Sequence, residues 1–505
     1  MSAQAERSFE RLHEYLRETA VLQTCRGLLN WDQETYMPTG SAELRGRQIA
    51  LLSGMAHRRI ASDKLGDLIG DAEGHLNGHD PDSQIASNLR ETRRDYEKAT
   101  KIPAELIEEH AEVTTLARRA WAEARQTNDY PHFRPWLRRI VQLSRRFAEA
   151  LGYEDDPYDA LLDEYEPHAK AKEVMELFGQ LSGKLTELFG RILDSGHVVD
   201  TKALHQPFPA ATQEKFAHEV TSAIGFDYER GRLDRTLHPF CTGLGPWDVR
   251  ITTRFNEQWF PDGLFSALHE AGHGLYEQGL AGEHFGWPTG SACSLGVHES
   301  QSRMWENLVG RSRGFWQFFY PKAQAAFPGP LAGVSLDQFH RAINEVKASM
   351  IRVDADEVTY NLHVLLRFEI EQALLAETLD FKDVPEAWNT RFEEIFRVKP
   401  ANDAEGCLQD IHWSAGLFGY FPTYTLGNVY AAQLFEQART DLGDLEAQFA
   451  QGDFEPLRTW LNENVHWQGR RFPPRQLVER ITGRPPAPEP LIESLESKYG
   501  AVYGL

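Results

Sequence analysis

A chain of 505 residues can form several ordinary domains or one large helical body built in two lobes. Its 75 acidic residues against 53 basic ones give a formal charge of −22, which argues against nucleic acid or an anionic membrane surface as the main partner. The four cysteines, Cys25, Cys241, Cys293 and Cys407, lie far apart with no CxxC pair, which speaks against a disulfide framework or a cysteine metal site and fits a reducing cytoplasm.

The first segment, MSAQAERSFERLHEYL, lacks the pattern of a secretory leader, and no apolar run approaches the ~18 residues of a membrane span. Helices dominate the first two hundred residues. Phe9, Leu12 and Leu16 repeat at helical spacing, and Pro103 opens a stretch whose Leu106, Val113, Ala117, Ala120 and Trp121 line one face, with His110 among them. The mixed charges of Arg90 to Asp95 read as a solvated helix face. Around Val198 to Thr212 the pattern loosens, which suggests an N-terminal helical lobe over 1–205 and a catalytic lobe over 206–505, integrated into one body. Trp247 to Phe260, rich in Thr, Ile, Val and aromatics, is the best strand candidate. Helices resume after Pro261-Asp262-Gly263, include a long amphipathic stretch from Arg352 to Glu377, and end in a last helix closing near Tyr499 behind the connector at 484–490. The whole reads as mainly α with a small β element.

Chemistry concentrates in His269-Glu270-Ala271-Gly272-His273. At about 3.6 residues per turn the two histidines lie only about 40° apart around a helix axis, so both can reach one Zn²⁺ while Glu270 stands beside it. Leu264, Leu268, Ala271 and Leu275 form an apolar stripe, with Asp262 placed to cap the helix and Gly279 to end it. Chance alone supplies such a pentad in roughly one chain in fifteen, so further residues must decide.

A hydrolytic zinc needs three protein ligands and an open position. The metzincin third ligand would fall at Gly279, which excludes that pattern. Glu299, opening a following helix in Leu295 to Gln301, is the preferred third ligand; Glu283 and Glu306 compete, and an i,i+4 ion pair with Arg303 is the structural alternative for Glu299. Zinc held this way would lower its water's pKa to about 7, and Glu270 could take the proton and later deliver it to a leaving amine. A non-catalytic reading, in which zinc is structural in a peptide-binding protein, requires a fourth ligand; His298 and His284 are nearest, but His298 would point about 100° away from Glu299.

Five further segments join the pentad: His238-Pro239-Phe240, Asp248 to Thr252 (DVRIT), His298-Glu299-Ser300-Gln301, Ile351 to Asp356 (IRVDAD) and Gly406 to Trp413 (GCLQDIHW). With Trp31 to Pro38, these ordered motifs resemble the M32 family of metallocarboxypeptidases. The resemblance implies zinc at His269, His273 and Glu299, with cobalt as another possible metal, and Glu270 as general base and acid. It also implies a gluzincin-type helical fold like that of neurolysin and angiotensin-converting enzyme, with two lobes around a deep groove, as a cytoplasmic homodimer. Peptides with a free C-terminus are the implied substrates, and an oligopeptidase or dipeptidyl carboxypeptidase of the same fold is the alternative.

Arg352 is the first candidate to clamp the terminal carboxylate, against an ion pair with Asp356; Arg250 is the second, against a pairing with Asp248. His238 and His412 are candidate donors to the substrate. Tyr420 is preferred over Tyr424 as the phenolic donor to the oxyanion, and Gln409 and Asp410 read as supporting groups.

Overall fold

The computed structural model describes residues 3–76 and 78–505, and among these helices predominate, with one three-stranded sheet formed by β1 (Gly231–Arg235), β2 (Cys241–Gly243) and β3 (Val249–Thr253) in the order β1-β3-β2. The residues gather into two compact units, each drawn from three stretches of chain. The first comprises Met1–Thr100, Asp200–Ile343 and Ala431–Pro485; the second comprises Lys101–Val199, Asn344–Tyr430 and Pro486–Leu505. One crossing, between Val199 and Asp200, falls inside the predicted junction. The others interleave the units along the chain, so a single cut at 205/206 does not describe them.

In the first unit, Phe9 and Leu12 of the helix Ala3–Thr35 are buried against Leu65, Leu68, Ile69 and Leu89, with Leu16 partly buried beside them. The charged run is not wholly solvated as expected: Glu91 is buried, and Arg470, from the third stretch, pairs with both Glu91 and Asp95. Residues distant in sequence supply the counter-charge, which a local pattern cannot reveal.

The predicted strand is shorter than expected. β3 spans Val249–Thr253, parallel to β1 (Gly231–Arg235) and antiparallel to β2 (Cys241–Gly243). The Thr253 hydroxyl donates to the Gly263 carbonyl at 3.1 Å, tying the end of β3 to the first turn of the pentad helix, Phe260–Gly279. Phe260 at its start is wedged among Phe216 and Phe327. Gly279 ends the helix, but Asp262 does not cap it: the N-cap position is Trp259, whose side chain makes no capping hydrogen bond, and Asp262 pairs with Arg254 at 2.9 Å. An acidic residue in the first turn still complements the helix dipole.

In the second unit, the helix Ala104–Thr127 buries Leu106, Val113, Ala117 and Ala120, while Trp121 is half-buried and donates to the Leu408 carbonyl at 2.9 Å. The stretch Arg352 to Glu377 is not one amphipathic helix. Arg352–Asp354 is a separate 3-10 turn, and Asp356 caps the helix Glu357–Leu375. Almost every face of that helix is buried, its polar residues included, because neighbours supply partners for Thr359, His363, Arg367 and Glu371. The last helix, Glu489–Tyr503, runs a turn beyond the predicted end.

Candidate metal centre

The pentad helix and the helix Leu295–Arg303, capped by the Ser294 hydroxyl, bring His269, His273 and Glu299 together in the first unit. Glu299 Oε2 lies 3.6 Å from Nε2 of His269 and 3.5 Å from Nε2 of His273. A tetrahedral ion with donor bonds of about 2.0–2.2 Å spans such separations, so two imidazoles and one carboxylate fit zinc. Among the described residues these three are the only group of His, Cys, Asp and Glu side chains converging in this way, so no fourth ligand closes the centre.

Both imidazoles are oriented by what their other nitrogens meet. His269 Nδ1 is 2.9 Å from Glu306 Oε2, and His273 Nδ1 is 3.1 Å from the His298 carbonyl. Protons on the two Nδ1 atoms leave both Nε2 lone pairs free for a metal. Glu306, one of the competing carboxylates, therefore orients His269. It arrives there on Met304–Val309, a π-helical turn whose wider winding shifts the register after Arg303. His298 stacks on His273 at 4.4 Å and meets Glu277 at 2.9 Å through Nε2. The i,i+4 pair also exists: Arg303 Nε donates to Glu299 Oε1 at 2.7 Å, leaving Oε2 toward the histidines.

Charge explains why a cation belongs here. Burial opposes a proton on His269, yet Glu299, Glu306 and Glu270 prevail and raise it to about 9. Burial would raise Glu299 and Glu306, but Arg303 and the histidines hold Glu299 well below the usual carboxylate range, and Arg303, His269 and Arg311 take Glu306 to about 2. Glu270 behaves differently: its burial pushes it up to about 7, a value suited to a general base. Burial and the neighbouring His298 keep His273 neutral, lowering it to about 3.

Arg250, on β3, forms the pairing that its alternative reading named. Its Nε and Nη2 donate to Asp248 at 2.9 and 2.8 Å, and its guanidinium lies 4.2 Å from the centre of the Trp31 ring. His238 is exposed on the β1–β2 connection.

Arg352, His412, Tyr420 and Tyr424 come together in the second unit. Arg352 does not pair with Asp356; its Nε and Nη2 donate to Asp410 Oδ1 at 3.1 and 2.9 Å, and its Nη1 donates to the Tyr360 hydroxyl. Arg367, which sequence reasoning overlooked, donates to the other Asp410 oxygen at 2.6 Å. Two buried guanidiniums thus share one carboxylate, and Arg367 Nη2 is buried with no hydrogen-bond partner among the described residues. The side-chain Oε1 of Gln409 accepts from the Arg352 backbone amide at 2.9 Å. His412 Nε2 lies 3.1 Å from the Tyr424 hydroxyl, and the Tyr420 ring is 5.5 Å from the His412 ring.

Burial lowers His412 to about 4, with Arg352 and Arg367 adding to the effect and Asp410 opposing it. The fold therefore favours neutral His412, whereas the unfolded chain takes up the proton below about 6.5. Stability from this residue is complete above pH 6.5 and is lost as the pH falls toward 4, by about 3 kcal/mol in all. Urea unfolding of the protein and of His412→Asn at pH 7 and pH 5 checks this: the variant should lose less stability on acidification.

Residues 11–499 match the model of the family described as carboxypeptidase Taq (M32) metallopeptidase. The chain is 49% identical over 508 residues to thermostable carboxypeptidase 1 of Thermus thermophilus, covering 99% of each. It is 38% identical to carboxypeptidase 1 of Bacillus subtilis over 94% of this chain and 95% of that one. Its fold superposes on the crystal structure of the M32 carboxypeptidase from Deinococcus radiodurans with a TM-score of 0.96 and 41% identity, over 99% of this chain and all of the other. With a mainly helical fold, the family's motifs in order and relatives matched from end to end, the chain belongs to the carboxypeptidase Taq (M32) metallopeptidase family.

Proposed function

We propose that this protein is a zinc-dependent carboxypeptidase that removes residues from the C-terminus of peptides. The convergence of His269, His273 and Glu299 with Glu270 buried beside them carries this reading. Zinc bound there supplies a Lewis acid for the scissile carbonyl and acidifies a water to a pKa of about 7. Glu270 would accept a proton from the attacking water and return it to the nitrogen of the departing residue. Tyr420 donates to the oxygen on which negative charge develops, with His412 as a further donor. Arg352 is our first choice for the terminal carboxylate. The two guanidiniums that share only Asp410 leave a buried net positive charge, which favours an anion. Arg250, His238 and Tyr424 complete the proposed substrate contacts. The same reading takes the protein as a cytoplasmic homodimer; among the described residues no disulfide joins the four cysteines, and no helix is long and apolar enough to cross a membrane.

A peptide with a free C-terminus, assayed beside its amidated twin, tests the proposal. The amide removes one charge-assisted pair, so its kcat/KM should be lower by about 10²-fold. Equal cleavage would make the enzyme an oligopeptidase instead. A chelator should abolish both reactions, and zinc or cobalt should restore them.

A further inference from the structure

The helix Glu357–Leu375 carries Thr359, His363, Arg367 and Glu371 four residues apart on one stripe, all fully buried. Glu371 stands out because its carboxylate has 0% exposure and no cation within ion-pair distance among the described residues. A buried carboxylate with no ion-pair partner is costly, and although Arg367 one turn back eases the charge, burial pushes this one up to about 7. Three donors hold it: the Tyr158 hydroxyl at 2.7 Å and the Gly419 amide at 3.2 Å on Oε2, and the Trp413 indole N–H at 2.9 Å on Oε1.

The positions of those donors give the carboxylate a use. Trp413 directly follows His412, and Gly419 directly precedes Tyr420, so Glu371 grips the neighbour of each proposed donor to the substrate. Gly419 has φ of 89°, and a side chain there would begin 2.8 Å from backbone atoms of Leu161 and Leu162. Those residues end the helix Pro157–Leu162 that carries Tyr158, so the loop is pressed between two helices that Glu371 links. Tyr420 then meets Tyr165 edge-on at 5.1 Å, which restricts its ring further.

We infer that Glu371 is a positioning residue that aims Tyr420 and His412 at the substrate by anchoring Gly419 and Trp413. The inference rests on the reading of Tyr420 as an oxyanion donor and extends it one step back from the substrate. A double-mutant cycle on the metal-loaded enzyme tests it, using Glu371→Gln, Tyr420→Phe and the pair. Glu371→Gln keeps the side-chain volume but turns one acceptor into a donor facing another donor. It should lower kcat about tenfold in the native background and only about threefold beside Tyr420→Phe, because one of the two groups it aims is already gone. Equal losses in both backgrounds would mean a merely structural role and would overturn the inference. Full kcat in Glu371→Gln with a damaged Tyr420→Phe would overturn it while sparing the Tyr420 reading; full kcat in Tyr420→Phe would end both. If Glu371→Gln does not fold, Trp413→Phe, which removes only the N–H donor beside His412, takes its place in a cycle with His412→Asn instead of Tyr420→Phe, judged by the same criteria.

Discussion

Glu270→Gln is expected to bind its metal normally and to lose about 10³-fold in kcat. The ligands explain the first half. His269, His273 and Glu299 converge through atoms that Glu270 does not supply, and their orientation comes from Glu306, the His298 carbonyl and Arg303. Glutamine has nearly the volume of glutamate, so a side chain only 6% exposed is replaced without a cavity. What disappears is a proton acceptor. Glu270 is the one carboxylate in the cluster that burial pushes up to about 7, while Glu299 and Glu306 are held down and cannot act as bases at neutral pH. Metal content by atomic spectroscopy, read beside kcat on one preparation, separates the two halves. Retained metal with unchanged hydrolysis would remove Glu270 from the mechanism.

Gly272→Ala should weaken metal binding at least tenfold and destabilise the fold by about 1–3 kcal/mol, although alanine is the better helix former by about 1 kcal/mol. A Cβ at this position would lie 2.6 Å from the Gln301 carbonyl oxygen and 2.6 Å from Ser302 Cα. Both are backbone atoms, so no side chain can swing aside; the two helices must separate instead. The displaced segment carries Glu299, whose Oε2 receives the Ser302 hydroxyl at 3.0 Å, and a ligand set tolerates errors of only about 0.2 Å. Gly70→Ala is the control. It sits in an exposed helical position with nothing within 4 Å of the added carbon, so it should leave metal affinity unchanged. Zinc competition with a chromogenic chelator and thermal melts of the two variants make the comparison.

Local features were readable from the sequence and long-range partners were not. The pentad helix announces itself through Leu264, Leu268, Ala271 and Leu275, all of which prove buried, and its end at Gly279 follows from the same pattern. Arg250 with Asp248 was legible because the partners are two residues apart. Glu306 could be named only as a rival to Glu299, since the π-helical turn that carries it to His269 leaves no period in the sequence. Arg352 was offered Asp356, its neighbour one turn on, but found Asp410 across a separation that no window covers. Arg367 and Glu371 were missed for a different reason. Charged residues at four-residue spacing normally mark a solvated face, and here they mark a buried one. The one available signal was that Asp410 and Trp413, their eventual partners, lie together in the GCLQDIHW motif.

The interleaving of the two units bears on how the protein is made. The metal ligands are complete once Glu299 has been synthesised, but their unit also draws on Ala431–Pro485, where His466 meets Gln301 at 2.8 Å and Asn462 donates to the Gly279 carbonyl. At 5–20 residues per second, the ribosome needs roughly 10–40 s to pass from Glu299 to the end of that last stretch at Pro485. During this interval the pentad helix lacks the side chains that later close over its end, and the second unit likewise awaits Pro486–Leu505. Neither unit can finish folding ahead of the other by much. Metal loading at the proposed centre therefore belongs after Pro485 has been added, and a ribosome stalled before residue 431 would hold a chain with all the proposed ligands and no finished centre.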